Sequence, residues 1–211
     1  MGGYVLEDYV IVIGGANIDI IGTPYSKLSF HNSNPGKTNM SLGGVARNIA
    51  ENLSRLGVKV EFITVLGHDS YANEIKKSCN DLTISLKHSL VKPEERTSTY
   101  LCINDEFGEM QLAISDMEIY KYITPEFLEG KMDIINNSKV CVLDTNIPTD
   151  SLFYLMDNCK APIFLDTVSN SKTEKIKDHI HNIHTLKPNI MEAEILSNMK
   201  ISNHEDLERA T

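Results

Sequence analysis

The sequence has no apolar run near the roughly 20 residues that cross a bilayer as a helix; the run from Val10 to Ile13 stops at Gly14. The opening Met-Gly-Gly-Tyr lacks a basic stretch followed by an apolar core and does not read as a secretion signal. Basic charge is in deficit: 20 Lys and Arg against 29 Asp and Glu give a net charge of −9. That balance argues against a nucleic-acid or anionic-membrane partner. Binding a phosphorylated small molecule depends on local groups and is compatible with the total. The four cysteines, Cys79, Cys102, Cys141 and Cys159, form no Cys-x-x-Cys pair and no zinc-ligand spacing. Lying in or beside apolar segments, they read as reduced packing residues of a cytoplasmic protein. The rest is globular composition, 41% apolar and 23% charged, and 211 residues suit one large domain.

Short apolar runs alternate with amphipathic ones. Tyr9 to Ile13, Val58 to Leu66, Lys139 to Leu143, Pro162 to Leu165 and His184 to Leu186 are predicted strands. They are continuous rather than alternating, which suits a parallel sheet covered on both faces. From Gly44 to Leu56 the apolar positions Val45, Ile49, Leu53 and Leu56 recur at helical spacing, and Gly57 ends the helix. Thr124-Pro125-Glu126 is a helix start, and Ser202 with Glu205 reads as a capping box. The Ile176, Ile180 and Ile183 stripe is core. The order strand, helix, strand, helix in the second half predicts α/β. Two segments break that rhythm. Residues 18–42 are polar without helical periodicity, and residues 97–114 read as two strands joined at Asn104-Asp105-Glu106-Phe107-Gly108. Both are expected to form a small β lid beside the sheet.

Three glycine-containing loops compete as phosphate sites. Pro35-Gly36-Lys37-Thr38 ends like a P-loop, but His31 stands where its first glycine belongs and no helix follows. Gly14-Gly15-Ala16-Asn17 is not Gly-x-Gly-x-x-Gly and supports no nicotinamide site. Gly43-Gly44 opens the strongest helix, where free N–H groups and the dipole favour ligand oxygens, with Asn48 one turn in. A tight turn beside a polar surface residue is the alternative. Asp19 follows the first strand, where a carboxylate could accept two hydrogen bonds from a vicinal diol, or simply be an exposed loop residue. Asn189 and Glu192 suit an N-cap and its third helical residue; alternatively Glu192 orders the water shell of a magnesium ion. His179, His181 and His184 have no further ligand within a turn, and two-residue spacing does not align them on one helix face.

Gly-Gly-Val-Ala-Arg-Asn-Ile-Ala at residues 43–50 resembles the first signature of the PfkB (ribokinase-like) carbohydrate kinases. Asn17 and Asp19, the Pro35-Gly36 loop, and Asn189-Ile190-Met191-Glu192 resemble further landmarks of that family in the expected order, from Tyr9 onward. The stretch from Ser41 to Leu53, and Ala113-Ile114-Ser115-Asp116-Met117 leading to Ile123-Thr124-Pro125, are similar to its pseudouridine kinase branch. The resemblance implies a ribokinase-like α/β domain over 9–211, a mainly parallel Rossmann-type sheet with helices on both faces, and a discontinuous lid from about 18–42 and 97–114. It implies ATP and Mg2+, in-line transfer of the γ-phosphoryl to a nucleoside 5′-hydroxyl, and a homodimer through the lid.

By the same resemblance, Asp19, Asn48 and the Gly43-Gly44 backbone hold sugar hydroxyls, with Asn17, Ser115 and Asp116 as further substrate contacts. Asp166, Lys187, Asn189 and Glu192 belong to the nucleotide side, Glu192 meeting the metal through water. The family's second signature, Gly-Ala-Gly-Asp, with the catalytic base, does not occur in these 211 residues. The expectation is therefore a piece of a nucleoside kinase that binds substrate weakly or not at all, turns nothing over, and is marginally stable. Gly3 to Asp8 resembles the junction to an upstream helix-turn-helix in some relatives. The alternatives are a non-catalytic nucleoside-binding or self-associating module, and a family kinase for ribose, fructose or adenosine.

Overall fold

The computed structural model describes residues 8–210; the Gly3 to Asp8 junction lies, except for Asp8, outside them. The strands are β1 (Val10–Ile13), β2 (Asn17–Pro24), β3 (Gly36–Gly43), β4 (Val60–Ile63), β5 (Val65–Leu66), β6 (Leu90–Val91), β7 (Thr99–Asn104), β8 (Met110–Asp116), β9 (Val140–Asp144), β10 (Ile163–Asp166) and β11 (Thr185–Lys187). The helices are α1 (Val45–Arg55), α2 (Ser70–Asp81), α3 (Pro125–Glu129), α4 (Met132–Asn136), α5 (Thr149–Asn158), α6 (Asn170–Thr173), α7 (Ile190–Ser197) and α8 (His204–Ala210). Two 3-10 segments, Glu118–Tyr122 and Glu174–Asn182, complete the series. No helix among the described residues is long and apolar enough to cross a membrane.

The main sheet is parallel throughout, in the order β11-β10-β9-β1-β4. Alternate residues of its strands feed two cores, because successive strand side chains point to opposite faces. Ile11, Ile13, Cys141, Leu143, Ile163 and Leu165 pack with Leu128, Ile135, Leu152 and Ile176. Val12, Phe62 and Val142 pack on the other face with Ala46 and Ala50 of α1 and Ala72, Ile75 and Cys79 of α2. Continuous apolar strands are thus what a sheet covered by helices on both faces requires. The chain leaves β1 for β4 on one side, while β9 lies on the other. The carboxyl ends of β1 and β9 therefore flank a topological switch point, where open α/β sheets bind ligands.

β2, β3, β7 and β8 form a second sheet, ordered β3-β2-β7-β8, with β2 parallel to β7 and antiparallel pairs outside. Its register sets a polar row, Ser41, Asp19, Tyr100 and Ser115, on one face. The next row, Met40, Ile20, Leu101 and Ile114, is apolar and faces the other way.

Two local readings need correction. Val58 to Leu66 is not one strand: after Ile63 the Thr64 N–H donates to Ser89 Oγ at 3.1 Å, and β5 leaves the main sheet to pair with β6. The last helix is capped by Asn203, not Ser202: Asn203 Oδ1 accepts the Asp206 N–H at 3.0 Å, so the start falls one residue later. The Ile176, Ile180 and Ile183 stripe does pack as core, Ile176 buried and the other two against it, on a segment that winds largely as 3-10 helix.

Asp69 links α2 to the second sheet. It caps α2 through the Ala72 N–H at 2.8 Å and accepts the Thr97 N–H and hydroxyl, each at 2.8 Å. Burial pushes its carboxyl up, but those donors outweigh burial and hold it below the usual carboxylate range. Its stabilisation is therefore present above the unfolded carboxylate pKa and is lost as pH falls through the folded value. Asp69→Ala is expected to cost about 1–3 kcal/mol at neutral pH, with the gap to wild type closing below about pH 4. Urea titrations at both pH values measure it; an unchanged gap at acid pH contradicts the assignment.

Candidate functional site

β1 ends at Ile13, and Gly14-Gly15-Ala16 carries the chain out of the main sheet into β2. This turn is held by Asp144, the fully buried last residue of β9. Asp144 Oδ2 accepts the Gly15 N–H at 3.0 Å and the Ala46 N–H at 2.9 Å, and Oδ1 accepts the Asn146 N–H at 2.9 Å. Gly44, the N-cap of α1, has no side chain to cap it. Asp144 supplies that acceptor from another strand, and its charge complements the positive end of the helix. Burial pushes the Asp144 carboxyl above its usual range. Tyr120, also buried, donates to the Ala16 carbonyl at 2.9 Å and lies 2.6 Å from Ser98 Oγ, closing the floor beneath.

The two glycines of the α1 turn are required for different reasons. Gly44 has φ +97°, and a Cβ there would lie 2.4 Å from the Gly15 carbonyl oxygen. A Cβ on Gly43 would lie 2.4 Å from Asp19 Oδ2, so Gly43 makes room for that carboxylate. Gly44→Ala is expected to destabilise the fold by about 1–3 kcal/mol; a urea midpoint equal to wild type contradicts this.

Arg47, buried within α1, spreads its guanidinium over the same turn. Nε donates to the Gly43 carbonyl at 3.1 Å, and Nη2 to the Leu42 carbonyl at 3.3 Å and to Asn48 Oδ1 at 2.5 Å. Glu51 balances its charge at 2.8 Å. With Asn48 Oδ1 occupied, Nδ2 remains as the group a ligand can use, so Asn48 presents a donor. Asp19 presents acceptors, with Asn17 Nδ2 donating to its Oδ1 at 2.6 Å. Donor and acceptors thus face one cleft of about 510 Å³, lined by Asn17, Asp19, Gly44, Asn48, Tyr100, Ser115, Asn146 and Lys172 among others. Complementary groups of this kind suit a polyhydroxylated ligand.

A second cleft, about 360 Å³, adjoins the first through Val45, Asn48 and Val168 and is lined by Asp166, Lys187, Asn189 and Glu192. Lys187 Nζ meets Asp166 Oδ2 at 2.8 Å, and that hydrogen bond raises the lysine above its usual value. Asp166 Oδ1 accepts the Val168 N–H at 2.9 Å, in a turn where β-branched Val168 is left-handed, φ +62°. Asn189 and Glu192 form a reciprocal capping box, and the buried Glu192 Oε2 also accepts the Thr167 hydroxyl at 2.5 Å. These bonds use Oε2 and leave Oε1 without a described partner. The described residues include no group of three or more metal-type ligands. A dehydrated metal ion held by three or more side chains is not what this lining is built for.

The structure gathers Asn17, Asp19, Gly44, Asn48 and Ser115 in the first cleft, with Gly43 behind Asp19, and Asp166, Lys187, Asn189 and Glu192 in the second. Asp116 is not brought to them. It follows Ser115 on a strand, so it points to the opposite face and lines a separate cavity with Asp69 and Arg96. The sequence reading missed Asp144, Arg47, Tyr100, Asn146 and Lys172. Asp144 carried a signal, a polar residue closing an apolar strand, as Asp166 does. His179 and His184 stack on Phe153 and Phe164, with ring centroids 3.8 and 5.3 Å apart.

The pfkB family carbohydrate kinase model matches residues 7–211. The chain is 42% identical to a pseudouridine kinase of Escherichia coli over 95% of its own length and 64% of that protein's. It is 35% identical to an uncharacterized sugar kinase of the same organism, over 97% of its own length and 57% of that protein's. It thus spans less than two thirds of either relative. A carbohydrate kinase from Agrobacterium tumefaciens superposes with a TM-score of 0.83 at 28% identity, over 96% of this chain and 67% of that one. An Arabidopsis thaliana ribokinase complexed with ribose and ATP superposes with a TM-score of 0.84 at 20% identity, covering the same shares, and attests the ribokinase-like fold. The parallel sheet, the clefts at its switch point and these matches agree: the chain belongs to the pfkB family of carbohydrate kinases.

Proposed function

We propose that these residues form the acceptor-binding and part of the nucleotide-binding face of an ATP-dependent kinase acting on the 5′-hydroxyl of a nucleoside, pseudouridine first. The observation that carries this reading is the pairing of the Asp19 acceptors with an Asn48 amide held donor-outward by Arg47. Two ribose hydroxyls donate to Asp19, and a hydroxyl oxygen accepts from Asn48 Nδ2. Ser115 and Tyr100 lie beside them for the base. The 42% identity to a pseudouridine kinase supports that substrate.

The nucleotide occupies the adjoining cleft, with Lys187 and Asp166 at its edge. Magnesium, when bound beside Glu192, neutralises charge on the phosphate oxygens. Holding acceptor and nucleotide in adjoining clefts favours in-line transfer by positioning, which in such sites supplies most of the rate. The second sheet serves as a lid, its polar row over the acceptor, excluding water as it closes. Its other face exposes Met40, Leu112 and Ile114, an apolar patch that a second copy of the chain would cover. The proton-accepting base is assigned to no residue of the 211.

ATP-to-ADP turnover tests this with pseudouridine, adenosine, ribose and fructose. The 211 residues are compared with the same residues continued by the C-terminal segment of the E. coli pseudouridine kinase. Turnover is expected with pseudouridine and only in the longer chain. A preference for ribose or fructose overturns the substrate, and turnover by the 211 residues alone overturns the placing of the base.

A further inference from the structure

Among the described residues, the cations at or just behind the two clefts have carboxylate partners, with one exception. Lys187 is paired with Asp166, and Arg47 behind Asn48 is paired with Glu51. Lys172 is not paired in this way. It lines the acceptor cleft from α6, and its described hydrogen bond is to the neutral Asn146 Oδ1. The negative charge that acts on it, Asp144, has both oxygens engaged by backbone N–H groups. Burial disfavours the ammonium, lowering its pKa, and Asp144 only partly offsets this. A half-buried lysine facing a cleft with a neutral partner is costly unless an anion arrives. In a chain of net charge −9, such a cation marks a local anionic ligand.

We infer that Lys172, with Asn146 orienting its ammonium and Ser169 and Ser171 beside it, is the seat of a phosphomonoester, so that the acceptor cleft binds a nucleoside 5′-phosphate more tightly than the nucleoside. This rests on the acceptor reading above and adds to it the group that receives the transferred phosphoryl. Asn146 is itself tied to the site's frame, its N–H donating to Asp144. The cation is thus placed relative to the Gly15 turn rather than left on a mobile stem, and its charge would act in a site partly shielded from water.

Pseudouridine and pseudouridine 5′-phosphate are titrated into the 211 residues continued by the C-terminal segment of the E. coli pseudouridine kinase, wild type, Lys172→Met and Lys172→Arg, with amide resonances reporting affinity. A preference of about tenfold or more for the phosphate is expected in wild type at low salt, shrinking at high ionic strength. Lys172→Met is expected to bring the ratio to near unity, and Lys172→Arg to retain most of it. Equal affinities in wild type, or a preference that survives Lys172→Met, overturn the assignment of Lys172. If pseudouridine itself fails to bind, the acceptor reading falls, and the phosphate seat falls with it.

Discussion

Replacing Asp144 by alanine is expected to lower the free energy of unfolding by about 3–5 kcal/mol, the largest single-residue effect on stability anticipated in this fold. Three backbone donors lose their acceptor at once: Gly15 and Asn146 in turns after β1 and β9, and Ala46 in the first turn of α1. Gly15 and Ala46 are buried, so water cannot replace the carboxylate without opening the junction. For a chain of this length such a loss corresponds to a fall of about 10 °C or more in melting temperature. Asp144→Asn keeps one carbonyl oxygen and is expected to recover part of the loss. Urea denaturation of both variants measures this, and a change under about 1 kcal/mol for Asp144→Ala contradicts the clamp.

Asp19→Ala is expected to weaken pseudouridine binding by about 10- to 150-fold, the range set by hydrogen bonds to a charged group, while leaving the melting temperature close to wild type. The carboxylate is only partly buried, and its described hydrogen bond is with Asn17 in the same strand. Its removal therefore disrupts little besides the ligand. Gly43→Ala should act in the same direction without touching the charge, since its Cβ would meet Asp19 Oδ2 at 2.4 Å and push the carboxylate aside. Calorimetric or resonance titration separates the outcomes. Unchanged affinity in both variants contradicts the assigned acceptor role.

Much of this was legible before the fold was known, for physical reasons. The strands that became β1, β9 and β10 are apolar on both faces because helices cover both, and such runs identify themselves. Gly57 after α1 and Thr124-Pro125 before α3 are local signals decided within one turn of chain. What was not legible depends on distance. Asp144 acts on Gly15 and Ala46, 129 and 98 residues away, and nothing local to it shows that. Arg47 carries no local sign of burial, yet it is 5% exposed and occupies Asn48 Oδ1, turning the amide nitrogen outward. Ser115 and Asp116 are equal candidates as a dipeptide; strand alternation sends only Ser115 to the cleft. Val58 to Leu66 reads as one run because hydrophobicity cannot show that Ser89 intercepts the ladder at Thr64.

The most direct test of the central claim is to map amide resonance shifts of these residues as pseudouridine is added to the 211 residues continued by the C-terminal segment of the E. coli pseudouridine kinase. The account predicts shifts that saturate together and cluster at Asn17, Asp19, Gly44, Asn48 and Ser115, around the cleft at the switch point. No saturable shift, or shifts gathered instead around Ile183, Leu186 and Leu196 in the apolar cavity beside β11 and α7, would contradict it.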